Sequence, residues 1–158
     1  MSSISRILSW SLVGLLSFVA LAFVAALIVS YTVSRPRGLG VTAGRLAPCP
    51  STPNCVSTQA DEPSHQMAAL PYSTSTAEAK QRLLTVIQAY PRTTIIEENE
   101  LYLAVIFRSA LFRFPDDVEF YFDEPNHLIH FRSASRLGQG DAGVNRARMT
   151  ALTAAFMK

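Results

Sequence analysis

Side chains able to recognise or transfer charge gather late in the chain: Arg108, Ser109, Asp116, Asp117, Glu119, Arg132, Ser133, Ser135, Arg136, Asp141, Asn145 and Arg146. A guanidinium is planar and matches a carboxylate or phosphate through two parallel hydrogen bonds. A pocket lined by Arg132, Arg136 and Arg146, with Asp117, Asp141 and Asn145 beside them, would suit a small anion or an acidic group on a partner. The same residues suit an Arg–Asp network that fixes two loops against a sheet. That arrangement is favoured here, because ion-pair networks also form for structural reasons. A third arrangement uses Asp116, Asp117 or Asp141 as a catalytic acid or base beside Arg132 and Arg136. Glu119 and Arg132 fall on the outward faces of adjacent expected strands, where they would be cross-strand neighbours.

Cys49 and Cys55 are the only cysteines, with five residues between them in a proline-rich loop. A metal site needs more ligands, and no histidine completes a known spacing. A thioredoxin-like motif needs two intervening residues. A structural disulfide fits best, with two free thiols or a redox or metal role as alternatives. His127 and His130 flank a strand at a spacing that places them on opposite faces, so no shared metal is expected. No metal and no cofactor is expected at all. Gly138–Gly143 matches G-x-G-x-x-G, but a dinucleotide site also needs a following strand with an acid about 20 residues on, which the remaining residues do not supply. A tight turn is expected there, with Asp141 near the N-terminus of a helix.

These residues need a scaffold, and the patterns imply an α+β one. Ser75-Thr76-Ala77-Glu78 is a capping-box signature. Leu83, Leu84, Val86 and Ile87 follow at helical spacing, so a helix is expected from Thr76 to Tyr90. Thr93–Glu97 and Leu101–Phe107 are β-branched and aromatic, with a turn at Glu98-Asn99-Glu100. Val118, Phe120 and Phe122 alternate with Glu119, Tyr121 and Asp123, which predicts a strand with a polar outer face. In the next strand Ile129 and Phe131 point inward, His130 and Arg132 outward. A last helix carries the stripe Met149, Leu152, Ala155 and Phe156. The order predicts a small antiparallel sheet of about four strands with two flanking helices. Residues 36–75 hold six of the nine prolines and no apolar periodicity, so they read as irregular chain.

Ahead of this lies one transmembrane helix. No charged residue occurs from Ile7 to Ser34. At about 1.5 Å per residue that run spans roughly 40 Å, more than the ~30 Å hydrocarbon core of a bilayer. It is also too long for the h-region of a cleaved signal peptide. Residues 7–34 are therefore expected in the lipid bilayer. The domain plan is an anchor at 1–34, a tether at 35–47 and the α+β domain at 48–158. Arg6, Arg35, Arg37 and Arg45 all precede the first acid, Asp61. The basic excess thus flanks the apolar run, where it can meet anionic headgroups. The rest is near neutral, which argues against a nucleic-acid partner.

Four segments together resemble the domain of unknown function 1499 family: Cys49–Ser57, Phe114–Phe120, Arg132–Gly138 and Asp141–Arg148. They occur in the family's order and cover roughly residues 46–157. Gln139 departs from a position more often aromatic. The resemblance brings no activity, so it implies no catalytic residue. Its members are commonly bacterial membrane or exported proteins, which implies a disulfide and an extracytoplasmic, periplasmic-side domain. The three arginines after the span, counted alone, would imply the opposite orientation. The leading expectation is a non-enzymatic envelope protein that binds a partner protein or a small anionic ligand. The alternatives are a small Asp/Arg enzyme and a module held at the lipid surface by Arg35, Arg37 and Phe112–Phe114.

Overall fold

The computed structural model describes residues 3–158, with side chains from Trp10 onward. Helix α1, Ser3–Thr32, is the apolar run. Its Trp10–Thr32 portion is long and apolar enough to cross a membrane. A helix leaves its last carbonyls without partners inside the helix. Here two arginines from the domain supply donors, Arg108 Nη1 to Ser30 O at 3.2 Å and Arg136 Nη1 to Val33 O at 3.2 Å. Cations at this end also suit the helix dipole.

The domain follows as β1 (Val41–Thr42), β2 (Arg45–Leu46), β3 (Cys55–Ser57), β4 (Leu70–Pro71), α2 (Thr76–Gln88), β5 (Thr93–Glu98), β6 (Tyr102–Arg108), β7 (Pro115–Asp123), β8 (Leu128–Ser135) and α3 (Val144–Phe156). Ser75 caps α2 through the expected reciprocal bonds with Glu78. Strands β5 to β8 form the expected antiparallel meander, joined by short turns. The fold is α+β, with a sheet in the order β3-β8-β7-β6-β5 and β4 also paired to β8.

One face of the sheet carries the apolar core. Val118, Phe120, Phe122, Ile129 and Phe131 pack against Leu83 and Ile87 of α2 and Met149, Leu152 and Phe156 of α3. Full burial of such side chains stabilises by about 1.5–3 kcal/mol each.

Two expectations are corrected. The stretch 36–75, expected as irregular, contributes a hairpin and two edge strands. Cys55, Val56 and Ser57 pair with Ala134, Ser133 and Arg132, and Leu70 pairs with Ile129. The β1–β2 turn places Ala43 at φ 50° and Gly44 at φ 75°, the positive values that a two-residue hairpin needs at both central positions. Strands of two or three residues are too short to show periodicity. The outer face of the sheet is also not a solvated face. Residues 35–47, expected as a tether, lie across it: Leu46 packs with Tyr102 and Ala104, and the Gly40 N–H donates to Glu119 Oε1 at 2.7 Å.

Candidate functional site

Between that covering segment and the sheet lies a layer of charge. Alternation along β6, β7 and β8 sends Tyr102, Asp117, Glu119 and Arg132 to this face, while their neighbours enter the apolar core. Glu119 sits directly opposite Arg132 in the β7–β8 register. Its side chain is fully buried and Arg132 is 6% exposed. Glu119 Oε1 accepts from Tyr102 Oη at 2.7 Å as well as from Gly40, and Oε2 lies 3.4 Å from Arg132 Nη1. Burial pushes the Tyr102 hydroxyl pKa well up, and its bond to Glu119 adds to the rise. Tyr102 therefore stays neutral and donates. Arg35 Nη2 in turn donates to Tyr102 Oη at 3.1 Å.

Asp117 is held more tightly. Arg136 binds it in parallel through Nε at 2.7 Å and Nη2 at 2.8 Å, the forked geometry that makes such pairs strong. Arg35 Nε lies 3.9 Å from the same carboxylate, and its Nη1 is 3.5 Å from Glu97 at the rim.

Arg132 is not satisfied by these partners. Its buried Nε has no hydrogen-bond partner among the described residues, and the same holds for Arg35 Nε. Burial lowers the Arg132 pKa, against the pull of Glu119 and Asp117, yet a guanidinium remains charged at any physiological pH. Arg132 borders an open cleft of about 500 Å³. Arg136 and Arg37 line the same cleft, with the Cys49 loop, Asn54 and Gly138 forming its far wall. Cys49 and Cys55 form a disulfide with Cα atoms 5.7 Å apart. Asn54 Nδ2 donates to Gly138 O at 2.8 Å, tying the loop to the turn after β8. Three guanidinium groups, Arg35, Arg132 and Arg136, thus meet the buried carboxylates of Asp117 and Glu119 and, at the rim, Glu97, while Arg37 lines the cleft beside them. Such an arrangement can hold an anion.

The structure splits the expected site residues in two. Arg132, Arg136 and Asp117 share this face. Asp141 and Asn145 belong to a separate cluster at the start of α3. The backbone N–H groups of Gly143 and Asn145 donate to Asp141 at 3.0 and 2.7 Å. Although burial opposes it, these amides hold the Asp141 carboxyl below its usual pKa. Buried Asn145 Nδ2 donates to Asn54 O, Ser135 Oγ and Asp141 Oδ2, and its Oδ1 accepts from Ser133 Oγ and Arg148 Nη1. Arg148 also pairs with Asp116. Every polar atom of the Asn145 side chain is therefore engaged within the protein. Arg146, one position on, turns away and donates to Ser64 O and Gln66 O at the surface. It does not join Arg132 and Arg136.

Asp116 accepts from Arg148, Asp117 from Arg136, and Asp141 from the backbone amides of Gly143 and Asn145. Gly138 and Gly143 take positive φ in a turn before α3, and among the described residues no strand follows. His127 packs on Tyr72, while His130 meets Thr58 and stacks on Tyr121. The sequence patterns single out neither Tyr102, Asn54 nor Arg148 as site residues, and they point Arg37 to the lipid surface and not to this cleft. Tyr102 was signalled by its place in a strand alternating with core residues, and Arg148 by lying one helical turn after Asn145. Nothing local marked Asn54.

A family model described as "Protein of unknown function (DUF1499)" matches residues 45–156, well over half of the chain. Comparison with curated proteins gave no match.

Proposed function

The chain belongs to the DUF1499 family of proteins of unknown function, and from that premise we propose that it is a membrane-anchored, non-enzymatic module binding a small anionic ligand over Arg132. In this reading residues 1–34 anchor the chain in the bilayer and 48–158 form the binding domain, on the extracytoplasmic side. One observation carries the ligand class: a 6%-exposed arginine at the edge of an open cleft, its Nε without an acceptor among the described residues. Burying a charge is costly unless it is paired and fully hydrogen-bonded. A carboxylate or phosphate held in the cleft would add a counter-charge beside this under-paired guanidinium.

Support for the orientation comes from the disulfide, since such bonds persist mainly in oxidising compartments. The arginines that argue for the opposite side are partly neutralised: Arg35 lies beside Glu97 and Asp117, and Arg45 beside Asp61.

Inorganic phosphate is the simplest probe. Anything that binds only the folded state raises its melting temperature with concentration. The full chain in detergent should melt higher in phosphate than in chloride of equal ionic strength. Arg37 makes no hydrogen bond or ion pair among the described residues, so Arg37→Ser should keep the fold and reduce this increment. Equal melting in the two salts would remove the anion reading.

A further inference from the structure

In the β6–β7 loop, Ser109–Phe114, Ala110 and Leu111 are exposed and Phe112 and Phe114 are half-buried. Leu111 is 61% exposed. Phe112 and Phe114 stack with centroids 5.3 Å apart. Phe112 then meets Phe23 of α1, with ring centroids 5.7 Å apart. Phe23 lies well inside the apolar span, nine residues before its end at Thr32. At 1.5 Å per residue this is about 13 Å along the helix from the end nearest the domain. Ala26, Leu27 and Ser30 share a helix face with Phe23 at spacings of three, four and seven, and they are less exposed than their neighbours. Ser30 is 1% exposed.

The base of the loop is built to sit at a polar boundary. Ser109 N–H donates to Phe114 O at 3.0 Å, and Phe114 N–H donates to Ser109 Oγ at 2.9 Å. Arg108 Nη1 donates to Arg113 O at 3.0 Å as well as to Ser30 O. Its guanidinium lies over the Tyr31 ring, 4.8 Å from the centroid. The backbone polar groups that water would otherwise serve are thus partly met within the protein, a condition for approaching hydrocarbon. Aromatic side chains with arginines above them are the usual arrangement at a membrane interface.

We infer that Leu111 and Phe112 insert into the outer acyl region of the leaflet beside α1, so that the domain touches the bilayer at two points. The occupant of this surface is lipid, because the patch is continuous with the span that lipid must already surround. The inference rests on the reading that α1 crosses the bilayer, and it is independent of the anion cleft. Two contacts would fix the tilt of the domain, and a helix alone would leave it free to swing.

Trp10 is the only tryptophan and lies at the far end of the span, so depth can be read by fluorescence. The full chain is reconstituted into phosphatidylcholine vesicles brominated at defined acyl carbons. Native Trp10 reports the span itself. In a Trp10→Phe background, Leu111→Trp and Phe112→Trp each report the loop, and Pro125→Trp in the exposed β7–β8 turn reports water. We expect Leu111→Trp and Phe112→Trp to be quenched by bromine at least as strongly as Trp10, and to resist acrylamide. Pro125→Trp should show the reverse. Quenching at Trp10 with none at either loop position would overturn the insertion and leave the anchor standing. No quenching at Trp10 would overturn both.

Discussion

Arg132 and Glu119 pose a question that neither answers alone. Both are buried, they face each other across β7 and β8, and their nearest polar atoms are 3.4 Å apart. A buried ion pair rarely stabilises more than packed apolar residues would, but removing one partner leaves an uncompensated charge. Glu119 has two further donors, Tyr102 and Gly40, while Arg132 keeps an idle Nε. Glu119→Gln isolates the charge effect, because the amide oxygen can still accept from both donors. It should lower stability by about 3 kcal/mol, read as a shift in the denaturant midpoint with an unchanged slope. A loss below about 0.5 kcal/mol, the range of ordinary surface changes, would mean that water reaches the pair. The residue types of this site were legible in sequence: Arg132 and Glu119 as cross-strand neighbours, and Asp117 with Arg136. Arg146 was misgrouped because adjacent helical positions point about 100° apart, so Asn145 faces the protein and Arg146 the surface.

At the scale of elements, strong periodicity was readable and short pairing was not. The capping box of α2, the alternation along β7 and the stripe of α3 each span several residues and carry their own signal. β3 carries none: it has three residues, all buried, and its position depends on the free edge of β8 and on the Cys49–Cys55 ring. The covering hairpin β1–β2 is shorter still, so the charge layer was read as a solvated face. The disulfide loop bears on both fold and cleft. Asn54 lies inside the ring and reaches Gly138 through its side chain, while its carbonyl accepts from Asn145. Closing a ring this small is worth roughly 2 kcal/mol on a chain-entropy account. Cys49→Ser with Cys55→Ser should cost about that much in thermal or denaturant unfolding. It should also remove most of the phosphate-specific rise in melting temperature, because the far wall of the cleft loosens first. If the double variant keeps that rise in full, the proline-rich loop is held by its other contacts and the ring is not what shapes the cleft.

For the whole molecule, the junction between α1 and the domain is a set of specific bonds. Arg108 and Arg136 reach the last carbonyls of the helix, and Arg136 is at the same time the bidentate partner of Asp117. The charge layer is therefore built onto the end of the apolar helix, and on the proposed reading of that helix as an anchor, the side of the bilayer that holds the domain decides what its cleft can meet. Two rules pull against each other here. Basic residues flanking a span favour the cytoplasm, whereas a disulfide favours an oxidising compartment. Arg35 and Arg45 are within reach of carboxylates, so only Arg37 of the three stands without an acid partner among the described residues, and the disulfide should prevail. In intact cells a membrane-impermeant maleimide should label Cys49 and Cys55 only after an impermeant reductant has opened the bond. Labelling that appears only after lysis, with no reductant needed, would place the domain in the cytoplasm with free thiols. The cleft would then face cytoplasmic anions, and the ring could not be the constraint that holds its wall.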